Sequence, residues 1–197
     1  MTLMGTRPLL GIFVGGKSRR MGAPKGLLEV PGSGEPIIES IVRAGREAGF
    51  DPVLVGNATP YSKLAPGVPR VDDDPPDAGP LGGLRAVLLH AIGQGNAPVV
   101  TTACDMPYVT KEALGLLLDQ RSDAEALAPR RKPDGPWEPM LARYDAPRVL
   151  IVLDAVIASG RRSFQELFAA LRAEPMKVAP VLERALTDWD TPEDVGA

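Results

Sequence analysis

The chain has 197 residues, 44% of them apolar, which is long enough for one sizeable core and short for two, so a single domain over residues 1–197 is expected. Its net charge of -3 gives no bulk attraction for nucleic acid, and no apolar run approaches the ~20 residues of a membrane span. One cysteine, Cys104, excludes an intrachain disulfide; with no long apolar stretch over Met1 to Arg7, the expected compartment is the cytoplasm.

Short apolar runs alternate with helical patterns. Leu9–Val14 reads as a buried strand. Pro36–Gly49 reads as a helix with Ile37, Ile38, Ile41 and Val42 on its apolar face, and Gly49 as its stop. Pro52–Val55 is a second strand and Val68–Val71 a short third. Gly82–Ile92 is a helix, and Ala97–Ala103 a central strand running into Cys104 and Asp105. Thr110 is placed as the N-cap of a helix through Asp119. Ala124–Ala128 and Trp137–Tyr144 are read as strands, Val149–Ala158 and Ser163–Arg172 as helices, and Lys177–Pro180 and Leu186–Trp189 as late short strands. This alternation predicts an α/β fold with a mostly parallel sheet. Ligands of such sheets sit beyond the carboxyl ends of the strands, where Gly15 and Asp105 both fall.

The stretch Gly15-Gly16-Lys17-Ser18-Arg19-Arg20-Met21-Gly22-Ala23-Pro24-Lys25 carries the clearest chemistry. Glycines let backbone N–H groups turn around an anion, and lysine and arginine supply the charge that phosphate oxygens need. A strand ending in such a loop is a phosphate grip. Gly11 with Gly16-Lys17-Ser18 also satisfies the P-loop expression G-x-x-x-x-G-K-[ST]. That reading requires the strand to lie before Gly11, where only Leu9 and Leu10 follow Pro8.

The fuller pattern, G-G-x-S-x-R-M-G-x-x-K over Gly15 to Lys25, resembles the nucleotidyltransferases that mature the molybdenum cofactor, above all the MobA-type guanylyltransferases. The resemblance continues in order through Gly79-Pro80-Leu81-Gly82-Gly83, Cys104-Asp105-Met106-Pro107-Tyr108, Glu138 to Tyr144, Gly160-Arg161-Arg162-Ser163 and Asp190-Thr191-Pro192-Glu193-Asp194. Phe13-Val14 stands where the family usually has Leu-Ala.

The resemblance implies a three-layer, Rossmann-like nucleotidyltransferase fold. It implies Mg²⁺-dependent transfer of GMP from GTP to molybdopterin cofactor with release of pyrophosphate, and molybdoenzymes or cofactor-delivery proteins as partners. The expected nucleotide contacts are Val14, Gly15, Gly16, Lys17, Ser18, Arg20, Gly22, Lys25, Asn57, Asp72, Gly79, Pro80, Leu81 and Asp105. Lys25 and Arg19 stabilise charge in transfer, and Asp105 with Asp190 holds the metal. Two positions keep alternatives: Asp74 in place of Asp72, because loop length varies, and helix capping in place of metal binding for Asp190. Val14-Gly15-Gly16 follows the guanylyltransferase form over the Ala-Ala-Gly of related cytidylyltransferases. Cytidylyl transfer, or nucleotidyl transfer to another cofactor or a sugar phosphate, is the alternative within the same fold; a P-loop NTPase and a catalytically silent nucleotide-binding protein are the readings from other classes. Arg85 and Arg143, outside the grip, are expected to tolerate substitution.

Overall fold

The computed structural model describes residues 7–15, 24–95 and 98–195. Seven strands form one sheet: β1 (Leu9–Phe13), β2 (Asp51–Val55), β3 (Arg70–Val71), β4 (Val99–Ala103), β5 (Ala126–Ala128), β6 (Arg143–Tyr144) and β7 (Ala173–Pro175). Their order is β3-β2-β1-β4-β6-β5-β7, and every neighbouring pair is parallel except the two made by β6.

Alternation along the strands separates two cores. Leu10 and Ile12 of β1, with Leu54 and Val100, face α1 (Ile37–Glu47), α3 (Lys111–Asp119) and α6 (Pro180–Ala185). Leu9 and Phe13, with Val53 and Val99, face α2 (Pro80–Gln94), α4 (Ala146–Ala158) and α5 (Phe164–Phe168). The result is the expected three-layer α/β/α arrangement, since a parallel sheet buries both faces under helices. Gly11 lies mid-strand, and a Cβ there would come within 3.0 Å of the Val87 side chain on α2. Gly11 therefore serves helix-to-sheet packing and does not open a phosphate loop, which removes the P-loop reading.

Several boundaries differ from the sequence reading. Trp137–Tyr144 is not a continuous strand. Pro139 lacks an N–H for a ladder, and Pro139–Leu141 winds into a 3₁₀ turn, so only Arg143–Tyr144 pairs within the sheet. The last strand is Ala173–Pro175, whereas 177–179 leads into α6 with Pro180 at its start. Leu186–Trp189 forms no ladder. The helix expected over Ser163–Arg172 is confined to Phe164–Phe168, opened by a reciprocal capping box between Ser163 and Glu166. α2 begins at Pro80, two positions before the expected start. Asp145 caps α4, which starts at Ala146. Among the described residues no helix is long and apolar enough to cross a membrane.

Candidate active site

From β1 the chain winds outward in one direction to β2 and β3, and then resumes on the other side at β4. The carboxyl ends of β1 and β4 thus flank a topological switch point, where open α/β sheets bind their ligands. Backbone bonds fix the strand exits. Val14 N–H donates to Val55 C=O at 2.9 Å, and Cys104 N–H donates to Phe13 C=O at 3.0 Å. Gly56, with φ of +92°, brings the β2 exit so close to Gly15 that a Cβ on Gly56 would lie 3.2 Å from the Gly15 backbone.

Lys25 opens a single 3₁₀ turn, Lys25–Leu27, and its ammonium bridges two carboxylates. Nζ donates to Asp105 Oδ2 at 2.9 Å and to Asp190 Oδ1 at 2.6 Å. The lysine side chain is only 15% exposed and that of Asp105 22%, while Asp190 stands at the rim with 64% exposed. Burial works against the charged amine, but the hydrogen bonds to Asp190 and Asp105 outweigh it and hold its pKa above the ordinary value.

Each of the three residues is held from beneath. Gly26 is buried so close to the Tyr61 ring and Cys104 that a Cβ there would approach Tyr61 to 2.8 Å, which sets the Lys25 turn against the β4 exit. Asp105 follows β4 directly. Asp190 follows Trp189, which is buried in the core and whose N–H donates to Asp105 C=O at 2.9 Å. Asp194, not Asp190, supplies the carboxylate that closes the terminal turn. It accepts from the N–H groups of Asp190 and Thr191 and from the Thr191 hydroxyl, contacts that pull its pKa down. The Asp190 side chain is therefore left to Lys25.

The other expected residues that the structure describes fall at the same edge of the sheet. Asn57 follows β2, and its Oδ1 accepts from Thr59 N–H at 3.2 Å, shaping the Thr59–Tyr61 turn. Asp72 is exposed at the exit of β3. Asp74 is bound to Arg85, which also donates to Asp154 at 2.7 Å. Asp73, which the sequence reading passed over, sits against the glycine faces of α2 and β2. A Cβ on Gly83 would lie 3.1 Å from its Oδ1, and one on Gly56 3.8 Å. Desolvation and then Asp72 raise the Asp73 pKa. No spacing rule separates three adjacent aspartates, and all three are exposed; Asp73 is the one set against these glycines.

Gly79, with φ of +60°, precedes α2 and packs on Arg162 C=O, with Pro80 as the first helical residue. Leu81 is fully buried, so any contact it makes with a ligand is through its backbone. Gly16, Lys17, Ser18, Arg19, Arg20 and Gly22 lie outside the described residues. Arg85 and Arg143, expected to tolerate change better than the grip, both carry structural bonds. Arg143 donates to the carbonyls of Leu117, Leu118 and Gln120 at the end of α3, and Arg85 joins the β3 exit to α4.

The sequence pattern of the MobA-like NTP transferase domain matches residues 11–178. A molybdenum cofactor guanylyltransferase from Xanthomonas euvesicatoria pv. vesicatoria is 35% identical, covering 98% of this chain and 94% of the relative. A probable molybdenum cofactor guanylyltransferase from Opitutus terrae is 33% identical over 93% and 90% of the two chains. Molybdopterin-guanine dinucleotide biosynthesis protein A from Archaeoglobus fulgidus shares the fold with a TM-score of 0.75, at 24% identity and 94% coverage of both chains. The fold, its switch-point site and these relatives define a nucleotidyltransferase. The chain belongs to the MobA-like NTP transferase family.

Proposed function

We propose that the protein transfers GMP from GTP to molybdopterin cofactor and releases pyrophosphate. The observation that carries this reading is the Asp105–Lys25–Asp190 bridge at the switch point, in a chain resembling guanylyltransferases over nearly its whole length. A terminal phosphate of the acceptor is already an ionised nucleophile. Its oxygen attacks the α-phosphorus, the bond from that phosphorus to the bridging oxygen breaks, and pyrophosphate leaves with the electron pair. No proton has to move, so neither buried Cys104 nor His90 is needed; the work is alignment and neutralisation of charge.

In this reading the loop from Gly15 to Gly22 wraps the triphosphate, with Lys17, Ser18 and Arg20 among its contacts. Lys25 and Arg19 stabilise the charge on the α-phosphate and the leaving group. Val14, Asn57, Asp72, Gly79, Pro80 and Leu81 border the nucleoside. Two carboxylate oxygens within 2.9 Å of one nitrogen make a convergent hard-oxygen pair, which suits Mg²⁺, an ion usually held by one or two carboxylates plus substrate phosphates. Asp105 and Asp190 would hold it, and when bound it neutralises phosphate charge.

Calorimetric titration with GTP, CTP, ATP and UTP, each with and without Mg²⁺, tests the proposal. Selective, Mg²⁺-assisted binding of GTP, followed by guanylyl transfer to molybdopterin, is the expected result. Selectivity for CTP moves the protein to cytidylyl transfer, and absence of nucleotide binding overturns the reading.

A further inference from the structure

Two carboxylates that converge on one point repel each other unless a cation lies between them. In this protein that cation is part of the chain. The Lys25 ammonium is 2.9 Å from Asp105 Oδ2 and 2.6 Å from Asp190 Oδ1, and the lysine and Asp105 are largely withdrawn from solvent. Mg²⁺ draws its oxygen ligands to about 2.0–2.1 Å. An ammonium hydrogen-bonded to both oxygens places its positive charge beside the point such a cation would occupy, and the two repel. Entry of the metal therefore requires Lys25 to leave.

Resting on the proposed roles of Asp105 and Asp190, we infer that Lys25 is a built-in competitor that keeps the metal site closed until a triphosphate offers its ammonium another anion. Asp190 is the outer, mostly exposed member of the pair and is the one free to swing as the bridge opens. Metal and nucleotide then bind cooperatively, each removing an obstacle to the other, and the effect is reciprocal. The free enzyme takes up divalent cations only weakly, at millimolar concentration, and the site binds them tightly when substrate is present.

The test uses Mn²⁺ alone as probe, with free Mn²⁺ read by electron paramagnetic resonance and no nucleotide present. Lys25→Met is expected to bind Mn²⁺ at least tenfold more tightly than the unaltered protein, and adding Asp190→Asn is expected to abolish the gain. A second measurement needs no variant. Acetylation of Lys25 in the unaltered protein, followed by mass spectrometry, is expected to accelerate several-fold in millimolar Mg²⁺ while exposed Lys63 and Lys111 keep their rates. Equal Mn²⁺ affinity in folded Lys25→Met, or acetylation indifferent to Mg²⁺, overturns the inference. If Lys25→Met does not fold, the acetylation result decides. Mg²⁺-assisted GTP binding without these effects removes only the competitor role. No divalent-cation effect in either experiment removes the metal reading as well.

Discussion

The N–H of Trp189 donates to the carbonyl of Asp105 at 2.9 Å, stitching the C-terminal segment to the exit of β4. Through this join the residue after Trp189 reaches Lys25, 165 positions earlier in the chain. The Trp189 ring is 2% exposed and meets Tyr108 edge-on, so core packing and site assembly depend on one side chain. Trp189→Ala is expected to cost about 3–5 kcal/mol of stability. Its loss of transfer activity should exceed that of a variant equally destabilised at a distant core position. Denaturant unfolding and steady-state kinetics on the two variants check this.

Lys25→Ala and Asp105→Ala are each expected to lower guanylyl transfer by at least about 10²–10³-fold, the scale seen when a group that stabilises transition-state charge is removed. Their circular dichroism should match the unaltered protein, because both side chains lie at the edge of the core. Full activity in either variant would remove the mechanism.

Lys25 also leaves a signature in stability against pH. Its pKa in the folded protein stands above its ordinary value, so the ionised lysine contributes stability that is fully present below the unfolded value and is lost as pH rises through the folded one. Comparing thermal unfolding of the unaltered protein and Lys25→Met should show the difference between them shrinking from about pH 10 upward. A constant difference across that range would mean that the bridge is not formed in solution.

Cys104 is 8% exposed, and its thiol is pushed up to about 11 by burial and then by neighbouring Asp105. Iodoacetamide at pH 8 is therefore expected to leave the native protein unmodified while labelling it rapidly once unfolded. Cys104→Ala should retain transfer within a few-fold. Rapid native labelling, or complete loss of activity in this variant, would return a nucleophilic thiol to consideration.

Arg143 is the arginine that the sequence treated as ordinary. Its guanidinium meets three carbonyls at the end of α3, at 3.0, 3.3 and 2.8 Å, and burial lowers its pKa. Arg143→Ala removes the donor that serves all three and is expected to cost about 1–3 kcal/mol. The change should appear as a lower denaturant midpoint, with the Michaelis constant for nucleotide unchanged.

Central parallel strands such as Leu9–Phe13 (LLGIF) and Val99–Ala103 (VVTTA) were legible because both their faces are buried, which favours apolar and β-branched residues without alternation. Lys25 and Asp105 were legible because each lies in a compact local motif. The bridge to Asp190 was not, since it depends on where Trp189 docks. The edge strand Ala173–Pro175 is largely solvent-facing and carries no apolar alternation, so the run beginning at Lys177, four residues beyond the true start, drew the assignment. Trp137–Tyr144 alternated like a strand, but Pro139 cannot donate to a ladder. Asp73 was hidden between two identical neighbours, and only the fold shows which of the three lies against Gly56 and Gly83.

The reversed direction of β6 has a consequence for how such a protein can change. β5 and β6 form a hairpin whose connection, residues 129–142, rises from the same edge as Asp105, and Arg131 ties it to Leu186 C=O at 2.6 Å. Residues 139–142 of that connection are pinned down by Thr101. The stretch ahead of them, residues 129–138, is a separate segment from β1, β4 and the Lys25 turn. The rim and the floor of this edge are thus built from separate elements, a loop on one side and strand exits on the other, and loops carried on a fixed scaffold are the parts of a fold that vary most freely.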